Sequence, residues 1–275
     1  MVSTRTQQVA DLFDLVAPTY DQVGVDLFQP IAQRLVELLH PGPGDRAVDL
    51  GCGRGALTIP LAEAVGPDGT VTAGDVSPAM VEAAQQATRH LPQVTVEHLD
   101  AGEPDLSSQS ADIVAASLVI FFLPEPADAL QRWVRLLVPG GRIGLTTFGA
   151  QDEVWKSVDA LFDPYLPADM LDARTSGARG PFGSSDATSE LLRSAGLTAV
   201  ETLVEPLTVS FDDPEMWRRW TMSVGQRRMW GFVPDSERPE LFARAAALLG
   251  AARDGVGPIR LRQDVRYSLG TAPLS

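Results

Sequence analysis

The sequence predicts an α/β fold, a largely parallel sheet with helices on both faces, and three observations carry that prediction. Short apolar runs alternate with helical patterns between residues 46 and 148. That is the signature of strands joined by helical crossovers. The first three runs end on acids or a glycine turn, at Asp49–Gly55, Asp75 and Asp100. The fourth, Ile113 to Phe122, is apolar almost throughout, as a strand covered on both faces must be.

The elements follow in order. Residues 6 to 40 read as helical, with apolar Val9, Leu12, Phe13 and Val16, a break at Pro18, and a second helix from Phe28 to Leu39. Pro41 to Gly44 turn the chain into a short strand ending Val48-Asp49-Leu50. Gly51, Gly53 and Gly55 follow, and the chain continues as helix from Ala56. Glycines admit a ligand close to the backbone, and a helix N-terminus behind them offers unpaired N–H groups, so this loop suits a carboxylate or phosphate. Val71 to Asp75 forms the second strand, and Ser77 then caps a helix with Pro78 at its first position. Val94 to Leu99 is the third strand, followed by Asp100 and Ala101. After the fourth come a helix from Ala127 to Leu137, the turn Pro139-Gly140-Gly141 and a fifth strand, Arg142 to Phe148. A helix ending near Ala195 leads to a sixth strand near Ala199 to Phe211. Pro214 starts a helix placing Trp217, Trp220 and Val224 on one face, another spans Arg238 to Leu249, and Pro258 to Leu269 alternates as a seventh strand.

Spacing narrows the ligand. Dinucleotide folds favour G-x-G-x-x-G, whereas these glycines fall as G-x-G-x-G directly after an acid. Asp75, closing the second strand, is the residue type that accepts hydrogen bonds from both hydroxyls of a ribose.

With these residues placed, the chain resembles the class I S-adenosylmethionine-dependent methyltransferases, and among them the small-molecule group that includes the ubiquinone/menaquinone-biosynthesis enzymes. The pieces that carry the resemblance are VDLGCGRG, GDVSPAMVEAA, LDAGEPDL, ADIVAASLVIFFLP and LLVPGGRIGLTTF, over about residues 10 to 150. It implies a Rossmann-like seven-stranded sheet with the last strand antiparallel. It also implies three regions: an N-terminal helical lid over 1–44, a cofactor-binding core over 45–150, and substrate-cap insertions with the closing strands over 151–275. S-adenosyl-L-methionine is the implied cofactor. The resemblance sets Gly51 and Gly53 against its amino acid moiety and Asp49 on its ammonium. Asp75 falls at its ribose, with Val76 also among the residues expected to bind it, Met80 at the adenine face, and Asp100 and Ala101 at the adenine edge. Ser117 lies beside it at the end of the fourth strand. Tyr20, in Ala17-Pro18-Thr19-Tyr20-Asp21, falls on the lid, where it offers a ring face to the sulfonium, offers a hydroxyl to the carboxylate, or simply packs between two helices.

Composition excludes other classes. A formal net charge of −14 over 275 residues opposes binding to nucleic acid. The single cysteine, Cys52, makes no internal disulfide and founds no metal cluster, so no metal is expected. Met1 to Ala10 lacks the pattern of a signal peptide and the longest apolar run is too short to span a bilayer, so no membrane association and a cytoplasmic location are expected. His40, His90 and His98 fall at helix ends and in a strand. Past the fourth strand, where related enzymes often carry a histidine, the chain reads Phe121-Phe122-Leu123-Pro124, and no catalytic residue is assigned.

Four of the five tryptophans lie between 151 and 235. Phe121, Trp155, Tyr165, Trp217 and Trp220 are therefore expected to wall an apolar pocket for a small, largely apolar or aromatic metabolite. Methyl transfer needs chiefly an aligned nucleophile and exclusion of water, so the absence of a dyad is compatible with catalysis by proximity and orientation. Two other readings stand beside it: a protein of this fold that binds the cofactor but promotes a non-methylating reaction such as cyclisation, and an NAD(P)-dependent oxidoreductase, which the glycine spacing disfavours.

Overall fold

The structure, a computed structural model, describes residues 4–167, 180–253 and 255–274. Helices α1 (Thr4–Val16) and α2 (Phe28–Leu39) precede β1 (Arg46–Leu50), α3 (Thr58–Val65), β2 (Thr70–Asp75), α4 (Pro78–Thr88) and β3 (Val94–His98). Then come β4 (Ala111–Ser117), α5 (Pro126–Leu136), β5 (Leu137–Gln151), α6 (Glu153–Asp159), α7 (Ser185–Ser194) and β6 (Thr198–Phe211). Helices α8 (Pro214–Ser223), α9 (Arg227–Phe232) and α10 (Arg238–Ala251) lead to β7 (Ile259–Thr271).

The strands form one sheet in the order β3-β2-β1-β4-β5-β7-β6. The first five are parallel, and β7 runs antiparallel to both β5 and β6. β1 pairs with β2 on one side and β4 on the other, so the crossovers diverge at its carboxyl end and leave a crevice there, where open α/β sheets bind ligands.

Burial explains the central strands. Ala111, Ile113, Val114, Ala115 and Ala116 of β4 are covered on both faces. α2 lays Ile31, Ala32, Leu35, Val36 and Leu39 on the sheet, each large aliphatic side chain contributing about 1.5–3 kcal/mol of transfer free energy. Gly144 of β5 makes that approach possible, since a Cβ there would fall 2.9 Å from Leu39 Cδ2. α2 ends on His40, left-handed at φ 48°, whose N–H donates to Val36 O. This histidine is a helix cap.

Two boundaries differ from the sequence reading. β5 runs from Leu137 to Gln151, taking in Pro139-Gly140-Gly141, which were expected as a turn before a strand from Arg142 to Phe148. β4 stops at Ser117, not Phe122, because Leu118 takes a left-handed φ of 59° and a 3₁₀ turn spans Ile120–Phe122. Thr146 of β5 holds that break: its hydroxyl accepts the Leu118 N–H at 3.0 Å and lies 3.2 Å from Ser117 Oγ.

Candidate active site

The crevice beyond β1, β2 and β4 is a cavity with about 650 Å³ of unfilled space, its mouth included. Its floor comes from the strand ends: Gly51 and Gly53 after β1, Asp75 and Val76 after β2, Asp100 and Ala101 after β3, Ser117 and Leu118 after β4. α1 forms a wall with Thr6, Val9 and Phe13, and Tyr20 follows it; Val119, Phe122, Leu123 and Pro124 make the opposite wall.

The glycine loop is shaped by contacts on both sides. Gly51 has φ 77°, and a Cβ on it would fall 2.5 Å from Val119 Cγ2. The N–H groups of Gly51 and Cys52 donate to Gly74 O, and that of Gly53 donates to Asp75 Oδ2 at 2.9 Å. This corrects the expectation of free loop donors awaiting an anion. These donors clamp the loop to β2, and α3 starts only at Thr58.

Asp75 is the polar centre of the floor. Its Oδ1 accepts from the Ser77 N–H and its Oδ2 from Gly53, each at 2.9 Å. Burial raises its pKa, opposed in part by those N–H groups. Ser77 caps α4 by accepting the Met80 N–H at 3.1 Å, while its hydroxyl donates to Asp14 Oδ1 at 2.5 Å; Asp14 also accepts the Ala79 N–H. α1 is thus tied through Asp14 to the turn that carries Asp75, a link that the sequence reading missed. An acid on the otherwise buried side of an amphipathic helix was the available signal.

Eight positions expected at a cofactor line this cavity together: Tyr20, Gly51, Gly53, Asp75, Val76, Asp100, Ala101 and Ser117. Asp49 and Met80 do not. The Asp49 side chain turns away from the mouth and is fully buried, its Oδ2 accepting from Thr58 Oγ1 at 2.6 Å. Oδ1 has no partner among the described residues, and burial raises the pKa to about 7. Met80 is packed with Val16 of α1 and Ala17 just after it. Tyr20 stacks on Phe28 with ring centroids 4.7 Å apart and lies 3.8 Å from where a Gly53 Cβ would be. Burial lifts its phenol far above the usual range.

The expected aromatic walls are elsewhere. Trp155 and Trp217 are wholly buried and Trp220 nearly so. Trp155 meets Trp220 edge-on at 6.0 Å and Trp217 meets Trp230 at 6.1 Å, so these rings pack the post-β5 helices onto the sheet. Tyr165 is half-buried against the core outside this cavity, its hydroxyl donating to Glu237 Oε2 at 2.8 Å. Phe121 turns inward onto Phe148, and its neighbour Phe122 faces the cavity instead, because the 3₁₀ turn sends successive side chains in different directions.

Asp100 Oδ1 accepts from Gly102 N–H at 2.7 Å, and Ala101 O accepts from Trp133 Nε1 at 2.7 Å. The Ala101 N–H has no backbone acceptor among the described residues. Also among them, no group of three or more His, Cys, Asp and Glu could hold a metal ion, and no helix is long and apolar enough to cross a membrane.

Comparison with known proteins gives this geometry its context. A methyltransferase domain family matches residues 48–143, from β1 into β5. Nocamycin O-methyltransferase of Saccharothrix syringae is 37% identical over 272 residues, covering 94% of this chain and 96% of that protein. The chain belongs to the class I S-adenosylmethionine-dependent methyltransferases. Aklanonic acid methyltransferase DauC of Streptomyces sp. (strain C5) is 37% identical to this methyltransferase over 172 residues, 62% of this chain and 78% of that one. The [4+2]-cyclase SpnF shares the fold at a TM-score of 0.59 and 19% identity, over 98% of this methyltransferase and 97% of that chain. The seven-stranded sheet and the enzyme class expected from the sequence therefore hold for this methyltransferase.

Proposed function

We propose that this methyltransferase passes the methyl group of S-adenosylmethionine to an oxygen of a small, largely apolar or aromatic acceptor in secondary metabolism. The observation that carries the reading is the two-sided character of one cavity: acids and backbone donors on its floor, apolar Val9, Phe13, Phe122, Leu123 and Pro124 on its walls. Its residues fit an adenosyl ligand. Each Asp75 oxygen already accepts one N–H and keeps a lone pair for a sugar hydroxyl. The Ala101 N–H is free for a ring nitrogen and Asp100 accepts from an exocyclic amine. Gly51 and Gly53 present bare backbone to the amino acid tail, beside Tyr20. Bound there, the cofactor supplies an electrophilic methyl group on a sulfonium.

The chain's own task is then to position and to exclude water. Phe13 and Phe122, edge-on at 5.4 Å, close one side of the cavity with apolar surface. Its titratable lining is Tyr20, Asp75 and Asp100, all assigned here to the cofactor, so the acceptor oxygen arrives already acidic. The oxygen assignment is supported by the 37% identical relative named as an O-methyltransferase.

Calorimetry with S-adenosylhomocysteine is the test. Asp75→Ala should weaken binding by at least about tenfold, roughly 1.4 kcal/mol. Unchanged affinity would remove the ribose from Asp75 and the reading with it. The fold shared with a cyclase keeps a second reading, cyclisation without methyl transfer. Labelled methyl recovered in a product excludes it.

A further inference from the structure

A second depression runs along the other face of α1. Thr6, Val9 and Phe13 of that helix face the cavity, whereas Gln8, Asp11, Leu12 and Leu15 line this depression. Its far side is Met222 at the end of α8, then Arg227, Arg228 and Phe232 of α9. It holds about 1120 Å³ of unfilled space, its open side included. Leu15 is 56% exposed and Phe232 37%, and both belong to the small set of large apolar side chains that the described residues leave in water. Both line the groove, so its walls offer apolar surface to a ligand.

The charge on that surface is the second observation. The arginines nearby are engaged: Arg218 with Glu215, Arg238 with Asp235 and with the Val233 carbonyl. Arg227 and Arg228 form no ion pair among the described residues, in a chain of net charge −14. Asp11 is the one carboxylate of the lining, and it accepts from Gln7 Nε2 at 2.8 Å. Two adjacent, unneutralised guanidinium groups beside exposed apolar side chains match an amphipathic anion, since a guanidinium holds a carboxylate through paired N–H donors and never loses its charge.

The third observation is position. Phe122 borders the cavity, and its Cζ lies 3.9 Å from where a Cβ on Gly225 would be, two residues before Arg227. α1 thus borders both the cavity and the depression, and Phe122 reaches from the cavity wall to the turn that leads into α9.

We infer that this depression is the outer subsite of the acceptor, and that the acceptor is an apolar or aromatic molecule bearing a carboxylate held by Arg227 and Arg228. The inference rests on the methyl-transfer reading and adds the substrate class to it. The probe is pyrenebutyrate, with neutral pyrenebutanol as its counterpart, titrated by fluorescence into protein saturated with S-adenosylhomocysteine. The wild type should bind the acid more tightly than the alcohol. Arg227→Gln/Arg228→Gln should weaken the acid by at least about tenfold and leave the alcohol within roughly twofold. Arg219→Gln, an exposed charge on α8 outside the lining, should change neither.

No binding, no preference for the acid, an equal loss for both probes, or the same loss in Arg219→Gln would overturn the inference. So would a dimer in sedimentation that Leu15→Glu dissociates, which would assign the surface to a second copy. Calorimetry with S-adenosylhomocysteine on the same variants keeps the two readings apart. Its failure in the wild type strikes at the cofactor site, whereas the pyrene pair judges the arginines.

Discussion

Gly51→Ala perturbs the loop at the heart of the site in two separable ways. The backbone at φ 77° lies in the left-handed region, which costs an alanine about 1–2 kcal/mol. The added Cβ also lands 2.5 Å and 2.8 Å from the two methyl groups of Val119. A β-branched side chain has little χ1 freedom with which to withdraw, so overpacking adds about 1–3 kcal/mol. Gly44→Ala serves as reference, because φ there is 89° and nothing lies within 4 Å of the new Cβ. In urea unfolding followed by circular dichroism, Gly44→Ala should lose about 1–2 kcal/mol and Gly51→Ala about 2–5 kcal/mol. Combining Gly51→Ala with Val119→Ala should relieve the clash, giving a coupling energy of about 1–3 kcal/mol in the cycle. Equal costs for the two glycines and an additive cycle would show that Val119 does not dictate the glycine, and the steric argument would fall.

Other expectations are as direct. Burial lifts the Asp49 carboxyl to about 7, against about 4 in the unfolded chain. Between those values the folded protein holds a proton that the unfolded chain has released, so this group's contribution to stability falls as pH rises from about 4 to 7 and stays low above that. Asp49→Asn should therefore gain on the wild type across that window, by up to about 4 kcal/mol; urea titrations giving parallel pH profiles for the two proteins would refute it. Asp14→Ala deprives Ser77 Oγ and the Ala79 N–H of their acceptor. Amide exchange over residues 4–16 should quicken by about 5–30-fold, the equivalent of about 1–2 kcal/mol, and unaltered exchange would mean that α1 is held by packing alone. Trp217→Ala should cost about 3–5 kcal/mol of stability. A fully stable variant with a raised acceptor KM would instead return Trp217 to the pocket.

Periodicity made most of the fold legible. The helices around Val9–Val16 and Phe28–Leu39, the glycine turn and the Ser77 cap are local patterns that tertiary packing reinforces. The end of β4 was not legible, because an apolar run through Phe122 hides a left-handed leucine held by a threonine of another strand. The site divides in the same way. Asp75, Asp100 and the glycines sit at strand ends, where topology gathers whatever residue the sequence puts there. Asp49 lies outside the cavity lining because strand alternation points it at Thr58 of α3, and nothing in a one-dimensional pattern says which face opens onto the crevice. The tryptophans are buried away from the cavity lining, and a cluster of large rings is as good at filling a core as at lining a pocket. Asp14, the tether of α1, bonds Ser77 and Ala79 more than sixty positions away, beyond the reach of any local pattern.

The antiparallel pairing of β6 with β7 runs from Thr198↔Thr271 to Phe211↔Ile259. Phe211 and Ile259 thus stand opposite one another in the ladder, and helices α8, α9 and α10 leave and rejoin the sheet at a single doorway. The excursion that carries Arg227 and Arg228 is in effect an enlarged hairpin loop. Its exposed positions are free of the strand register, whereas its buried Trp217, Trp220 and Trp230 pack it onto the sheet. If the depression beside Arg227 and Arg228 holds the acceptor as inferred, exchanging that loop between relatives should redirect acceptor choice while the floor around Asp75 stays as it is.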